Sequence, residues 1–367
     1  MDSPCQSRDP VKSQEITPLT RATEITIPTL VRIKPGALDR LGIYLRRHGF
    51  ERVARVSSEG LVPAILERVE TSLAGESIEV VDRFAVSEPS FDQASANFAA
   101  LPRGVQAIIG VGGGRALDSA KCTASLGRLP LFSVPTSLSN DGFCSPQSRL
   151  TLAGGARSIP TTMPFGVVID TEVCGSAPDA LFLSGVGDLV AKVTAIEDWR
   201  IAFHERETPI NDFAALLSDA TVFQFMARPS RDLEGMRLLG TALMLNGIAM
   251  EIAGSSRPAS GSEHLISHAL DRIAKRPLLH GLQVGVATCI CSHLQGEGTE
   301  RIEGVLRAVG FWDEIRRQPL DRAEWLEAVR LGPTLKDDFH TVLSSRDCLP
   351  EVEALLRDDP VLSPCFH

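Results

Sequence analysis

The run IIGVGGGRALDSAK (108–121) decides the fold. Its opening is apolar and unbroken, it runs into Gly112, Gly113 and Gly114, and the residues after them read as a helix carrying Asp118 and Lys121. A short continuous apolar run bounded by glycine fits a strand buried on both faces, as in a parallel sheet. Glycines at such a strand-to-helix turn let the backbone come close to a ligand. The helix N-terminus adds free N–H groups and a partial positive charge, and together these hold pyrophosphate. The spacing is not G-x-G-x-x-G, and a purely structural turn is the alternative.

Working outward, the same alternation repeats. ITIPTLVRIKPG (25–36) reads as an edge strand ending at Pro35-Gly36, and RVARVSS (52–58), SIEVVDRF (77–84), LPLFSVPTS (129–137) and FGVVID (165–170) as further strands. Between them ALDRLGIYLRRHG, LVPAILERVETSLAG and SFDQASANFAALPRG have helical spacing. Apolar strands separated by helices predict a Rossmann-like α/β domain with a parallel sheet covered on both faces. From about residue 179 the β-rich runs stop, and DALFLSGVGDLVAKVTAIEDWRIAFHE, NDFAALLSDATVFQFMARP and DLEGMRLLGTALMLNGIAMEIAG predict an all-α C-terminal domain. Three parts are expected: a polar, aperiodic and disordered extension over 1–22, a dinucleotide-binding domain over 23–178, and a helical metal- and substrate-binding domain over 179–367. An open α/β sheet binds its ligand beyond the carboxyl ends of its strands, so the cleft between the two domains is where chemistry is expected.

A net charge of −9 and a pI near 5.5, with no Lys/Arg run reaching four, argue against a nucleic-acid surface. A small anionic substrate stays compatible, because a pocket can be locally positive on an acidic protein. No run of eighteen apolar residues is present and MDSPCQSRDPVKSQE has no apolar signal core, so neither a membrane span nor a secretory leader is expected, and the protein is expected in the cytoplasm. The eight cysteines are scattered without a Cys-x-x-Cys pair; they are expected to be reduced, mostly buried, and not metal ligands.

VPTSLSNDGFCSP (134–146) also follows a strand. Thr136, Ser137 and Ser139 offer hydroxyls to phosphate or ribose, and Asp141 can accept from a substrate hydroxyl, an Asx turn with a solvated carboxylate being the alternative. In SGVGDLVAKVTAIEDW (184–199), Gly185-Val186-Gly187 reads as a helix-opening turn that places Asp188, with a plain N-cap as the alternative. GSEHLISHALDRIAKRPLLHG (261–281) concentrates three of the eight histidines: His264 and His268 share a helix face, and His280 follows a break. Capped or surface histidines are the alternative. One carboxylate and two imidazoles give a divalent metal three protein ligands and leave positions open for substrate, and Asp188 with His264 and His280 meet that count.

In order and spacing, GVGGGRALDSAK, VPTSLSNDG, GVGDLVAKVTAIEDW, GSSRPASGSEHLISH and LHGLQVG resemble the sn-glycerol-1-phosphate dehydrogenase family, in the superfamily of glycerol dehydrogenase, iron-containing alcohol dehydrogenases and dehydroquinate synthase. The resemblance runs from about residue 25 to about 345 and implies the dehydroquinate synthase-like fold. It implies Zn2+ on Asp188, His264 and His280, with Asp141, Asp188 and His268 contacting substrate. It implies NAD or NADP along Gly112, Gly113, Gly114, Arg115, Ala116, Leu117 and Asp118, along Thr136, Ser137, Leu138 and Ser139, and at Ser145. The implied activity is hydride transfer between the cofactor and a phosphorylated polyol, dihydroxyacetone phosphate and sn-glycerol 1-phosphate, serving phospholipid biosynthesis in a homo-oligomer. Iron-dependent relatives carry a further histidine where this chain has Lys192, which favours zinc, though other divalent metals suit such a site. Phe339, in KDDFHTVL (336–343), stands where the family has Tyr. Glu59 is a candidate ribose partner, and Arg257 a candidate for either a phosphate clamp or an interdomain salt bridge. The rivals are a dehydrogenase of a free polyol or cyclitol, a dehydroquinate-synthase-like cyclase, which would have Glu at Asp188, and a non-catalytic binding protein.

Overall fold

The computed structural model describes residues 25–367, so the expectation of disorder over 1–22 lies outside the described residues. The N-terminal half alternates β1 (Leu30–Lys34), α1 (Leu41–Arg47), β2 (Arg52–Ser58), α2 (Pro63–Gly75), β3 (Glu79–Val86), α3 (Phe91–Ala100), β4 (Ala107–Gly112), α4 (Gly114–Gly127) and β5 (Leu131–Pro135). A hairpin, β6 (Gln147–Leu152) and β7 (Gly155–Pro160), precedes β8 (Gly166–Asp170) and α5 (Thr171–Gly175). The rest is helical: α6 (Asp179–Arg206), α7 (Asp212–Ala227), α8 (Leu233–Ala253), α9 (Ser262–Ile273) and α10 (His280–Gln295). There follow α11 (Thr299–Ala308), α12 (Phe311–Arg316), α13 (Arg322–Leu331), α14 (Val342–Ser345) and α15 (Leu349–Asp358).

Six strands pair in parallel in the order β1-β8-β5-β4-β2-β3, with β1 at the edge as its alternation predicts. Every residue of β4 is buried. Side chains alternate across a strand, so Ile109 and Val111 join the cluster with Leu41, Leu45 and Leu73 on one face, while Ile108 joins Ala116, Ala120 and Ala124 of α4 on the other. Two covered faces explain why the run is continuously apolar. Gly110 lets α4 lie close: a Cβ there would stand 2.8 Å from that of Ala120.

The hairpin is an element the sequence analysis does not anticipate. Ala153 and Gly154, both at positive φ, turn it. It reaches over the carboxyl-end side of the sheet and walls the cleft described below.

The helix-opening turn expected at Gly185–Gly187 is not one. α6 begins at Asp179, behind Pro178, and both glycines lie inside it. Their role is close approach. A Cβ on Gly185 would stand 1.8 Å from the Leu138 carbonyl oxygen, one on Gly187 2.0 Å from that of Gly281, and one on Gly281 1.8 Å from that of Ser184. The backbone of α6 therefore touches both the 138 loop and the start of α10, which brings Asp188 next to His280. His280, after the break, is the first residue of α10.

A hydrophobic cluster crosses the region of Pro178, joining Leu138, Phe143, Val167 and Ile169 to Val186, Leu239, Ile266 and Val286. α8 is long and apolar enough to cross a membrane by length and composition, but 56% of its apolar window is buried inside the protein, where it packs on α7 and beside β1.

Candidate metal and dinucleotide site

Asp188, His264 and His280 meet although α6, α9 and α10 bring them from three separate helices. Their ligand atoms lie within 4.8 Å of one another. His264 Nε2 is 3.3 Å and His280 Nε2 3.9 Å from Asp188 Oδ1. Each donor is held from behind. His264 Nδ1 pairs at 2.7 Å with Glu263 Oε1, and that fully buried carboxylate also accepts from Thr194 Oγ1 and the Gly261 N–H. His280 Nδ1 sits 3.2 Å from Ser267 Oγ. Asp188 Oδ2 accepts the Asp141 N–H at 3.0 Å. Partners on Nδ1 fix the tautomer and aim Nε2 at the common point, as metal-ligating histidines require.

The electrostatics fit a cation. Burial, with the neighbouring His264 charge, pushes His280 down to about 3, which leaves it in the neutral, ligating form at pH 7. Burial works against ionised Asp188, but Lys192 and the imidazoles outweigh it and hold the carboxyl well below the usual range. Lys192, fully buried, stands 3.0 Å from Asp141 Oδ2 and 3.5 Å from Asp188 Oδ2 and donates to the Ala259 carbonyl. An ammonium thus stands one helical turn after Asp188. It balances two carboxylates and points no lone pair at the metal position. Asp141 is raised by burial and by the Asp188 charge, against the pull of Lys192. The Asx turn weighed for this segment is made by its neighbour: Asn140 Oδ1 accepts the Gly142 N–H.

His268 stacks on His280, ring centroids 5.8 Å apart and planes 17° from parallel, and lies outside the three-ligand group. Burial takes it down to about 4, and its Nδ1, 4.0 Å from Asp271 Oδ2, makes no hydrogen bond. With Asp271 and His280 it forms a second possible donor set. Asp271 is already engaged by Arg149 and Gln283, each at 3.0 Å, which favours the Asp188 set.

His264, His268, His280 and Asp141 line one cavity of about 590 Å³, large enough for a small ligand with part of a cofactor. Asp118, Asn140 and Ser145 line it from the sheet half, Arg149 and Arg157 from the hairpin, and Arg272 and Lys336 from the helical half. Lys121, buried, donates to Ser145 Oγ and to the Gly142 and Gln147 carbonyls and pairs with Asp118 at 3.0 Å, tying α4 to the loop that carries Asp141.

At the glycine turn, Gly112 has φ +140 and a Cβ there would stand 2.2 Å from Ser58 Oγ, so this glycine is required by the fold. Gly113 caps α4, and a Cβ there meets nothing within 4 Å. The space in front of Gly113 is open, as a bound pyrophosphate needs, and the first N–H groups of α4 have no intrahelical partner. Ala116, Leu117 and Leu138 are 0–2% exposed and packed in core clusters, so those three can meet a ligand only through backbone. Ser137 and Ser145 are also buried, Ser139 lends its carbonyl to Ser184 Oγ, and the Thr136 N–H is taken by the Gly112 carbonyl. Glu59 is exposed just past β2, the strand beside β4. Arg257 is neither clamp nor interdomain bridge: it is 4% exposed, donates to the His340 and Asp338 carbonyls and lies 3.9 Å over the Phe339 ring, all within the helical half. The sequence analysis missed Glu263 and the buried Asp198, which accepts the Ser262 and Val342 N–H groups, although EH at 263–264 and ED at 197–198 carry them.

The iron-containing alcohol dehydrogenase family profile matches residues 32–178. A protein named glycerol-1-phosphate dehydrogenase [NAD(P)+] from Methanothermobacter thermautotrophicus is 34% identical over 328 residues, 88% of this chain and 94% of its own. One of the same name from Aeropyrum pernix is 34% identical over 352 residues, 92% of this chain and 98% of its own. Among solved structures, a probable glycerol dehydrogenase from Sinorhizobium meliloti superposes with a TM-score of 0.73 at 20% identity, over 92% of this chain and 99% of that one, which shows the shared dehydroquinate synthase-like fold. With a third of its residues shared along almost the whole length of such relatives, the chain belongs to the glycerol-1-phosphate dehydrogenase family.

Proposed function

We propose that this protein is an NAD(P)-linked dehydrogenase interconverting dihydroxyacetone phosphate and sn-glycerol 1-phosphate, with Zn2+ on Asp188, His264 and His280. The observation that carries it is the cavity: His264 and His280 line it, converging with the buried Asp188 behind them, and Arg149, Arg157, Arg272 and Lys336 surround the hollow in a protein of net charge −9. Four cations at one opening suit a phosphorylated substrate better than a free polyol. In this reading the half up to Pro178 binds the dinucleotide and the half from residue 179 binds metal and substrate.

A divalent cation on the three donors supplies Lewis-acid polarisation of the substrate oxygen, and the nicotinamide supplies the redox equivalent. The chain's own residues do the rest. Glu263 and Ser267 keep the imidazoles aimed, and Lys192 and the Asp141 N–H keep Asp188 ionised and in place. His268, neutral and facing the cavity, holds or passes the substrate proton. Gly113 and the start of α4 receive the pyrophosphate, with Asp118, Thr136, Ser137, Ser139 and Ser145 around it. Cytoplasmic residence, a homo-oligomer and a place in phospholipid synthesis belong to the same proposal. The exposed Phe203, Phe213 and Leu216 on α6 and α7 support self-association.

The test is turnover with NADH and NADPH on dihydroxyacetone phosphate, and in reverse on sn-glycerol 1-phosphate, its 3-phosphate enantiomer and free polyols. A preference of at least 100-fold for the 1-phosphate is expected. Equal or faster turnover of an unphosphorylated polyol or cyclitol contradicts the substrate.

A further inference from the structure

α10 carries another set of donors toward the end opposite His280. Cys289 and His293 are four residues apart and share a helix face. Glu303 of α11 lies opposite, and the three ligand atoms fall within 4.8 Å of one another. Cys289 Sγ is 3.9 Å from Glu303 Oε1, and His293 Nε2 is 3.7 Å from that oxygen and 3.7 Å from Asp359 Oδ2 at the end of α15. His293 Nε2 is shielded from solvent and has no hydrogen-bond partner.

The spacing discriminates. An imidazole hydrogen-bonded to a carboxylate closes to about 2.7–2.9 Å, as His264 does on Glu263 at 2.7 Å. Donors around a tetrahedral ion with bonds of 2.0–2.3 Å stand about 3.3–3.8 Å apart. The 3.7 Å from His293 Nε2 to Glu303 Oε1 is that of an ion's coordination edge rather than of a direct hydrogen bond, and Cys289 Sγ, 3.9 Å from the same oxygen, is at the far limit of a thiol hydrogen bond.

We propose that Cys289, His293 and Glu303 form a structural Zn2+ site separate from the cavity. Asp359 Oδ1 accepts the Val361 and Leu362 N–H groups, which leaves Oδ2 facing His293 at the edge of the site. A mixed thiolate, imidazole and carboxylate set favours zinc over magnesium or calcium. The three donors come from α10 and α11, so the ion ties these two helices together away from the cavity and takes no part in turnover. Without a cation, burial and the charges of Glu303 and Asp359 hold the Cys289 thiol well above its usual range. Binding therefore releases the thiol proton to solvent, and affinity falls as pH falls.

The test is cobalt reconstitution of the full chain, read by elemental analysis and by the near-ultraviolet thiolate-to-cobalt absorption that the cavity donors, having no sulfur, cannot give. About two equivalents per chain with that band are expected. His264→Ala should lose the cavity ion and keep the band. Cys289→Ser should lose the band and one equivalent, and His293→Gln and Glu303→Gln, on partly exposed side chains that keep the fold, should weaken cobalt binding at least 10-fold with turnover within about twofold of wild type. One equivalent with the band, kept in His264→Ala, would support this site while overturning the cavity ion. No band in the folded wild type, or an unchanged band in Cys289→Ser or Glu303→Gln, overturns the proposal.

Discussion

Helix α10 has donor clusters at both ends, and they differ in what stands around the donors. At its start, Asp188, His264 and His280 are each gripped from behind by Glu263, Ser267, Lys192 or the Asp141 N–H, and the two imidazoles open on a cavity. Near its end, Cys289, His293 and Glu303 face one another, and none of the three lines the cavity of the first cluster. A site that must exchange substrate needs its geometry held by outer hydrogen bonds, because the ion alone cannot fix donors around an open position. A closed site is held by the ion itself. The contrast predicts which substitutions cost turnover and which cost only stability.

The largest effect is expected for His264→Ala. Removing a first donor forfeits several kcal/mol of charge stabilisation, about 10³-fold or more in kcat/KM, together with the cavity metal. Loss of rate with metal retained would break the contrast. His268→Ala sharpens it: metal and fold should stay while single-turnover rate falls roughly 100-fold, since this ring faces the cavity beside the ligands. Near-wild-type rate would reduce His268 to a packing histidine. Glu263→Gln should lower metal affinity by about 10–100-fold by loosening the His264 tautomer, measured by competition with a chelator.

Smaller and more specific is Gly113→Val. Because nothing in the protein lies within 4 Å of a Cβ there, the variant should fold normally, and weakened binding would report the ligand itself. Unchanged NAD(P)H affinity would move the pyrophosphate elsewhere. The smallest effect concerns pH. Desolvation and the Arg257 charge bring Lys336 down to about 8, so its ammonium is present below that pH and lost above it. KM for dihydroxyacetone phosphate should rise severalfold between pH 7 and 9, while that for an unphosphorylated polyol stays flat.

Much of this was legible in sequence because periodicity and stop residues report local physics. The buried strand at 107–112, the edge strand at 30–34 and the helical C-terminal half followed from apolar patterning alone. The ordered motifs carried the donor set. What misled was glycine at 185 and 187, which reads as a helix-opening turn but permits two backbones to touch. Only the packed structure distinguishes those uses. The hairpin at 147–160 was overlooked although Ala-Gly-Gly sits between two alternating runs, and it supplies Arg149 and Arg157 to the cavity. Glu263, the partner behind His264, is an ordinary helix residue in sequence and acquires meaning only from what faces it, and Lys192, singled out there only by the resemblance, shows its pairing with Asp141 and Asp188 only in the fold.

The most direct measurement is metal content and dihydroxyacetone phosphate reduction on one preparation, before chelation, after it, and after Zn2+ is returned. Activity should disappear with the cavity ion and return with about one equivalent per chain at that site, and His264→Ala protein should regain neither. Full turnover in wild-type protein shown by elemental analysis to hold no metal would contradict the role assigned to Asp188, His264 and His280.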